Sequence, residues 1–198
     1  MRLRLLLPVL SVAVLVAAGR ASAEPHTRTG PYLGFGFGLE SVSWKSEDGE
    51  RDVEASGTLT ARAGWALKPT LLVGAEFWGW ANEYEVQTSS GAIPINVRLT
   101  STTAAVTVIP GNAGFFLRLG AGLAYGDVES SPPSGVSGSV APPDSDTGFA
   151  FIFAPGYEWR LTARFALGFQ GDIVYLGLND VLQDAFGYGL NAQFNWYW

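Results

Sequence analysis

The stretch AFGYGLNAQFNWYW, residues 185–198, decides the fold. Its even-numbered positions carry apolar side chains, most of them bulky: Phe186, Tyr188, Leu190, Ala192, Phe194, Trp196 and Trp198. Its odd-numbered positions are small or polar apart from Tyr197: Ala185, Gly187, Gly189, Asn191, Gln193 and Asn195. Successive side chains of a β-strand point to opposite faces. The pattern therefore predicts a strand with one bulky apolar face and one small polar face.

The same alternation recurs along the chain and predicts eight strands, at residues 30–44, 53–67, 71–86, 93–109, 115–128, 147–160, 164–178 and 185–198. Short turns alternate with longer polar loops at 45–52, 87–92, 129–146 and 179–184. An even strand number with this arrangement of turns is typical of a transmembrane barrel. The phase slips near Glu40–Val42, Phe77–Trp80 and Ser101–Ala104, which predicts β-bulges there. Pro155 is a further irregularity, since proline cannot donate to the ladder.

The distribution of bulky side chains favours a membrane over water. The chain has 198 residues, of which 47% are hydrophobic and only 15% charged, against about a quarter charged in ordinary domains. The bulky face does not fit the narrow interior of eight strands, and in water it would form an excessive apolar patch. Two aromatic girdles are predicted near the strand ends: Trp44, Tyr84, Tyr125 and Tyr175 by the loops, and Trp65, Trp159, Trp196 and Trp198 by the turns. A soluble lipocalin-like barrel is the alternative.

The N-terminus reads as an export signal. Arg2 and Arg4 precede an apolar run, and Ala21-Ser22-Ala23 is a small-residue cleavage site. We expect a signal peptide at 1–23, a tether at 24–29 and a barrel at 30–198. Cleavage removes three arginines and leaves nine basic against 18 acidic residues. This balance argues against nucleic acid, whose phosphates require basic residues.

The chain resembles the small eight-stranded outer-membrane barrels of Gram-negative bacteria, the family of the OmpA transmembrane domain and OmpX. The features that carry the resemblance are the signal, the opening strand segment GFGFGL at 34–39, the strand end RAGW at 62–65 and the terminal aromatic residue. The resemblance implies an all-β, eight-stranded antiparallel up-and-down transmembrane β-barrel in the outer membrane. It also implies contact with lipid and lipopolysaccharide, and an assembly signal read by the outer-membrane assembly machinery: Phe194, Trp196 and Trp198. We expect a monomer.

Seven charged residues are predicted to face the barrel interior: Glu40, Arg62, Glu76, Arg98, Arg118, Glu158 and Asp172. Unpaired charges are costly in such a space, so these groups should pair and plug the lumen. The alternative is a narrow conduit opened by exchange of partners. A lipid-modifying enzyme is less favoured, because His26 precedes the first strand and no nucleophile elbow is present. With no Cys and one His, we expect no metal site and no cofactor.

The long loops are acidic, with thirteen acids against Lys45 and Arg51: Glu47, Asp48, Glu50, Asp52, Glu54, Glu83, Glu85, Asp127, Glu129, Asp144, Asp146, Asp180 and Asp184. The turn side instead carries Arg28, Lys68, Arg160 and Arg164. The acids provide solubility and orientation, or bridge to lipopolysaccharide through divalent cations, which prefer oxygen ligands. The longest loop, rich in Pro, Ser and Gly, should be mobile. The favoured function is a non-catalytic structural or surface-interaction barrel.

Overall fold

The computed structural model describes residues 28–46, 49–52, 55–88, 91–112, 114–130, 144–179, 182 and 184–198. The predicted signal peptide, His26 and most of the longest loop lie outside these residues. So do four of the predicted loop acids: Glu47, Asp48, Glu54 and Asp180. No helix among the described residues is long and apolar enough to cross a membrane.

Nine strands follow one another along the described chain: β1 Gly30–Ser46, β2 Gly49–Asp52, β3 Ser56–Lys68, β4 Leu71–Thr88, β5 Gly91–Val108, β6 Phe115–Ser130, β7 Asp144–Arg160, β8 Phe165–Gly177 and β9 Asp184–Tyr197. All pairings are antiparallel between neighbours, and β1 pairs with β9 from Tyr32↔Tyr197 to Trp44↔Ala185. That pairing closes an eight-stranded up-and-down barrel, while the short β2 only folds back on the end of β1. The predicted fold is confirmed.

Tight turns join the strands at one end of the barrel. A single 3-10 turn at Pro110–Asn112 connects β5 to β6, with Gly111 at a φ of 65°, a left-handed conformation that glycine adopts at little cost. Gly114 follows at a φ of 91°, and its carbonyl accepts from Glu158 N at 2.9 Å. We call this end the turn side and the opposite end the loop side.

The outer surface of the barrel is an apolar belt. Exposed apolar side chains occur on all eight barrel strands and the adjoining turns: Phe35, Phe37, Leu39, Leu59, Trp65, Leu67, Phe77, Val106, Val108, Leu117, Leu119, Leu123, Tyr125, Phe149, Phe151, Phe153, Leu161, Ile173, Phe186, Tyr188, Leu190, Trp196 and Trp198. A closed barrel leaves no unpaired strand edge in lipid. The belt is therefore the surface that the strand alternation predicted.

The three predicted bulges are wrong. The β1–β9 register is unbroken through Glu40–Val42, and the β4–β5 register is unbroken from Leu71↔Val108 to Thr88↔Gly91. Among the described pairings, a register shift occurs instead between Ala66 and Lys68. The apparent phase slips have a simple cause. Near the loop side, inward-facing side chains are apolar as well as outward-facing ones. Polar and apolar residues therefore stop alternating there, although successive side chains still point to opposite faces.

Two apolar layers close the interior. The loop-side layer consists of buried residues of seven strands and the β8–β9 connection: Val42, Trp44, Trp78, Trp80, Val97, Leu99, Ala124, Ala150, Ile152, Ala154, Val174, Leu176, Leu178, Leu182 and Ala185. The turn-side layer consists of Tyr32, Ala66, Leu72, Ile109, Phe116, Ala166 and Tyr197. Trp44 and Tyr84, predicted in the outer girdle, instead pack together inside with ring centroids 6.2 Å apart.

Replacing Ala121 with arginine tests whether the apolar belt faces lipid. Ala121 is exposed midway along the apolar run of β6. An outward Ala121→Arg side chain meets no steric obstacle but places a charge in hydrocarbon, so we expect a loss of about 2–4 kcal/mol in unfolding free energy. Urea unfolding in lipid vesicles measures this loss, with Ala121→Leu as the apolar control. Equal stability of the two variants would contradict a lipid-facing belt.

Candidate functional site

The charged groups lie between the two apolar layers. Six of the seven predicted interior residues are buried there, each at most 5% exposed: Glu40, Arg62, Glu76, Arg118, Glu158 and Asp172. Successive members lie 14 to 42 residues apart in the sequence, and they meet only because the barrel closes. We call this set, with the polar side chains that contact it, the polar core.

Arg98 is not part of the polar core. Its side chain is 58% exposed and pairs at 3.6 Å with Glu129 on the outer surface. The prediction placed a bulge after Arg98, which reversed the assigned direction of the first half of β5. In the structure Val97 and Leu99 point inward and Arg98 points outward.

Glu158 on β7 anchors the turn-side end of the polar core. Arg28 donates to it from Nε at 2.7 Å, and both side chains are almost fully buried. Tyr197 OH donates at 2.9 Å and Asn195 Nδ2 at 2.9 Å to the same carboxylate. One carboxylate thus joins the segment before β1 to β7 and β9, across the strands that close the barrel.

Gln170 on β8 connects the two central guanidinium groups. Its Oε1 accepts from Arg62 Nη1 and from Arg118 Nη1, each at 2.7 Å. Its Nε2 donates to Asp172 Oδ1 at 2.6 Å. Arg118 Nη1 also forms an ion pair with Glu76 Oε1 at 3.3 Å. Arg62 crosses the interior past Gly34, where a Cβ would lie 3.1 Å from its Nε.

Glu40 on β1 ends the polar core at the loop side. Asn191 donates to Glu40 Oε1 at 2.8 Å and also to Asp172. The indole of Trp78 donates to Glu40 Oε2 at 3.0 Å, and the indole of Trp80 to the Glu40 carbonyl at 3.2 Å. Both tryptophans belong to the loop-side layer, so this apolar layer also supplies hydrogen-bond donors to Glu40.

Two arginines that the sequence analysis placed on the turn side, Arg28 and Arg160, are buried inside the barrel. Arg28 is 1% exposed, and Arg160 is 7% exposed with its guanidinium 4.4 Å above the Tyr197 ring. With them the polar core holds four arginines and four carboxylates. The inward position of Arg160 could have been predicted from β7, because Arg160 and Glu158 are two residues apart and therefore point to the same face of the strand. Arg28 lies outside any strand, and no periodicity in the sequence indicates its position.

A small cavity lies toward the turn side of the interior. This cavity of about 10 Å³ is lined by Tyr32, Leu72, Thr107, Ile109, Phe116, Arg118, Glu158, Asn195 and Tyr197. This volume admits about one water molecule. The described residues contain no group of three metal-ligating side chains of the His, Cys, Asp and Glu types.

The predicted assembly residues cover the junction of β1 and β9 from outside. Phe194 stacks on Phe37 with ring centroids 5.7 Å apart, and the Trp196 ring packs edge-on against Phe35 with centroids 6.3 Å apart. Trp198 N donates to the Pro31 carbonyl at 3.1 Å. The C-terminal aromatic residues therefore face the membrane and also close the barrel.

The described loop acids divide into outward and buried groups. Glu83 and Glu85 on β4 are exposed, and Asp127 and Glu129 on β6 are partly exposed. Asp146 is instead 5% exposed and accepts from Asn179 N at 2.9 Å. Asp184 accepts from Tyr175 OH at 2.8 Å. Only the backbone is described for three further acids, Glu50, Asp52 and Asp144.

The chain matches known barrels in sequence family and in fold. A family model described as outer membrane protein beta-barrel domain matches residues 8–194. Neisserial surface protein A has a TM-score of 0.61 at 14% identity, covering 86% of this chain and 98% of that one. Ail of Yersinia pestis, solved with the heparin analogue sucrose octasulfate, has a TM-score of 0.54 at 15% identity, covering 84% and 99%. At these identities the likeness is of fold alone. No curated protein sequence matches.

Replacing Gln170 tests its role between the guanidinium groups. Gln170→Met keeps the side-chain length but removes the acceptor shared by Arg62 and Arg118. Because hydrogen bonds to charged groups contribute about 1.5–3 kcal/mol each, we expect a loss of about 3 kcal/mol in unfolding free energy in vesicles. The matched control is Gln193→Met, also fully buried, whose Oε1 accepts one long bond of 3.5 Å from Asn195. Similar losses for both variants would contradict the role assigned to Gln170.

Proposed function

Because the chain belongs to the outer membrane protein beta-barrel domain family, we propose that it is a sealed, non-catalytic barrel with a structural or surface-interaction role. Family and fold place it in the outer membrane of Gram-negative bacteria. That location excludes the soluble lipocalin-like alternative. In such barrels the short turns face the periplasm and the longer loops face outward.

The filling of the interior is the observation that carries this proposal. A conduit requires a continuous aqueous path, and here apolar layers lie above and below the polar core. Leu178 and Leu182 add to the loop-side layer from the β8–β9 connection. Between the layers the charges are held by short hydrogen bonds to neutral side chains such as Gln170 and Asn191.

A narrow conduit is the second candidate, and the polar core is the observation that favours it. Arg118 has three neighbours that accept its hydrogen bonds: Glu76, Gln170 and Thr107. Exchange between such partners would open space without leaving a charge unpaired. Opening would also require movement in both apolar layers.

Planar-bilayer conductance separates the two candidates. For the wild-type protein we expect no steady openings, because the apolar layers interrupt any aqueous path. Insertion is verified independently by heat-modifiable migration of the reconstituted protein. Steady openings whose size changes on reversing the charge of Arg118 or Glu158 would favour the conduit and reject the sealed barrel.

The outer surface is proposed to contact lipopolysaccharide through divalent cations. Among the residues whose side chains are described, four outward carboxylates near the loop side, those of Glu83, Glu85, Asp127 and Glu129, outnumber the outward Arg98. Carboxylates beside anionic lipid need a bridging cation, and Mg²⁺ and Ca²⁺ prefer oxygen ligands. The same charge argues against binding a polyanion such as the sulfated ligand solved with Ail. The barrel is proposed to act as a monomer.

Thermal unfolding in vesicles of defined composition tests this contact. We expect Mg²⁺ to raise the unfolding temperature in vesicles that contain lipopolysaccharide, and EDTA to reverse the shift. Vesicles of zwitterionic phospholipid are the control and should give no shift. An equal Mg²⁺ effect in both vesicle types would contradict bridging to lipopolysaccharide.

The absence of catalysis and the assembly signal are proposals with separate tests. Incubation with the protein should leave the mass spectrum of lipid A unchanged, and a new lipid A species would reject the non-catalytic role.

For assembly, Phe194, Trp196 and Trp198 are proposed to be read by the assembly machinery. Replacing Trp198 with Ala should slow membrane insertion in cells while leaving refolding in detergent intact.

A further inference from the structure

Two acidic side chains, Glu40 on β1 and Asp172 on β8, meet at the loop-side end of the polar core. Both are at most 1% exposed. The Asn191 amino group donates to Glu40 Oε1 at 2.8 Å and also to Asp172 Oδ2, so one nitrogen bridges the two side chains. The two carboxyl groups are also within hydrogen-bonding reach of each other. We call Glu40 and Asp172 the acid pair.

Every described donor to the acid pair is a neutral group. Trp78 and Asn191 donate to Glu40, while Gln170 and Asn191 donate to Asp172. None of the ion pairs between described residues includes a member of the acid pair. Neutral donors stabilise a carboxylate without cancelling its charge. The acid pair is therefore not neutralised by any direct contact with a guanidinium group.

The nearest cations are too few for the acids around them. Arg62 on β3, Glu76 on β4 and Arg118 on β6 are the titratable groups that face the acid pair from other strands. Both guanidinium groups donate to Gln170, which separates them from Asp172. Together with the acid pair, this part of the interior holds two guanidinium groups and three carboxyl groups.

The other two buried arginines lie at the turn-side end of the polar core. Arg28 pairs with Glu158, and Arg160 donates to the carbonyl of Ala163 in the exposed turn between β7 and β8. The excess base is therefore near the turn-side surface, whereas the excess acid is enclosed beneath the loop-side layer. An uncompensated charge in such a place is expensive.

We infer that the acid pair is a proton-binding site, in which Glu40 and Asp172 hold one proton between them. Two carboxylates that share a site repel each other, and one bound proton converts this repulsion into a hydrogen bond. The proton comes from water to a carboxylate oxygen, and no other bond changes. Because the two groups interact directly, the proton belongs to the pair and not to either residue alone. The three central acids then carry two charges, which match the two guanidinium groups.

The bound proton supports closure of the barrel at the loop side. Glu40 accepts from the indole of Trp78 through its carboxylate and from the indole of Trp80 through its backbone carbonyl, and both rings belong to the loop-side layer. Loss of the proton adds a second negative charge directly beneath this layer. The layer should therefore loosen as the pH rises.

The pH dependence of stability tests the site. In the unfolded chain both carboxyl groups are ionised above about pH 5, whereas the folded protein keeps one proton. Because the folded state binds more protons, its stability falls as the pH rises, by up to about tenfold in the unfolding equilibrium constant per pH unit. We expect the wild-type urea midpoint in vesicles to fall between about pH 5 and pH 9. A midpoint that stays level or rises would overturn the inference.

Carboxamide variants show whether the pair carries one charge. Glu40→Gln carries a permanent donor in place of the proton, so its midpoint should match wild type at neutral pH and stay level as the pH rises. Asp172→Asn should be tolerated equally, but the double variant removes the shared charge and should have a lower midpoint. The matched control is Glu76→Gln, because Glu76 is equally buried but pairs with Arg118, and its midpoint should fall. Equal losses in Glu40→Gln and Glu76→Gln would contradict a shared proton.

Infrared spectroscopy of the wild-type protein decides the matter if the variants do not fold. At neutral pH the spectrum in vesicles should contain the carbonyl stretch of a protonated carboxyl group, and the band should disappear at alkaline pH. Absence of this band at neutral pH would reject the site. Replacing sodium with choline at constant pH should leave the wild-type urea midpoint unchanged. A midpoint that requires sodium would reject the proton in favour of a metal cation.

Discussion

The structure depends on one constraint: a closed ring of eight strands encloses a narrow interior that must be filled and electrically balanced. Backbone groups in lipid must be paired within the protein, and the β1–β9 pairing achieves this by removing both free edges. Closure then forces the inward side chains of distant strands together. Glu158 meets Arg28 across 130 residues, and Asn191 meets Glu40 across 151. Charges that would be solvated on an open sheet must here find partners.

The interior meets this constraint with neutral connectors as well as ion pairs. Gln170 lies between two guanidiniums, and Asn191 donates to two carboxylates. Amide side chains donate and accept at once, so they join groups of like charge without adding charge. The apolar layers then separate this polar core from water at both ends. This arrangement explains why the barrel is proposed to be sealed, and why opening it would involve partner exchange and movement of the layers together.

The sequence was sufficient for the fold and for most of the interior, because both follow from alternation. Bulky and small side chains alternate cleanly on β9, and six of seven interior charges follow from phase alone. Alternation of polar and apolar residues did not predict side-chain direction where the inward-facing residues are themselves apolar. Trp78, Trp80 and Leu99 then resembled lipid-facing residues, which produced false bulges and reversed Arg98. Arg28 was missed because its burial depends on where the chain enters the barrel, which no local pattern records.

A double-mutant cycle on Arg28 and Glu158 tests the central claim most directly. The variants are Arg28→Met, Glu158→Gln and their combination, with unfolding free energy measured by urea in vesicles. Each single variant breaks this buried ion pair by removing one of its two charges and should lose about 3–5 kcal/mol. The double variant is electrically balanced, so it should be more stable than either single variant. If the loss of unfolding free energy in the double variant equalled the sum of the losses in the two single variants, the claim that charge balance governs the interior would be contradicted.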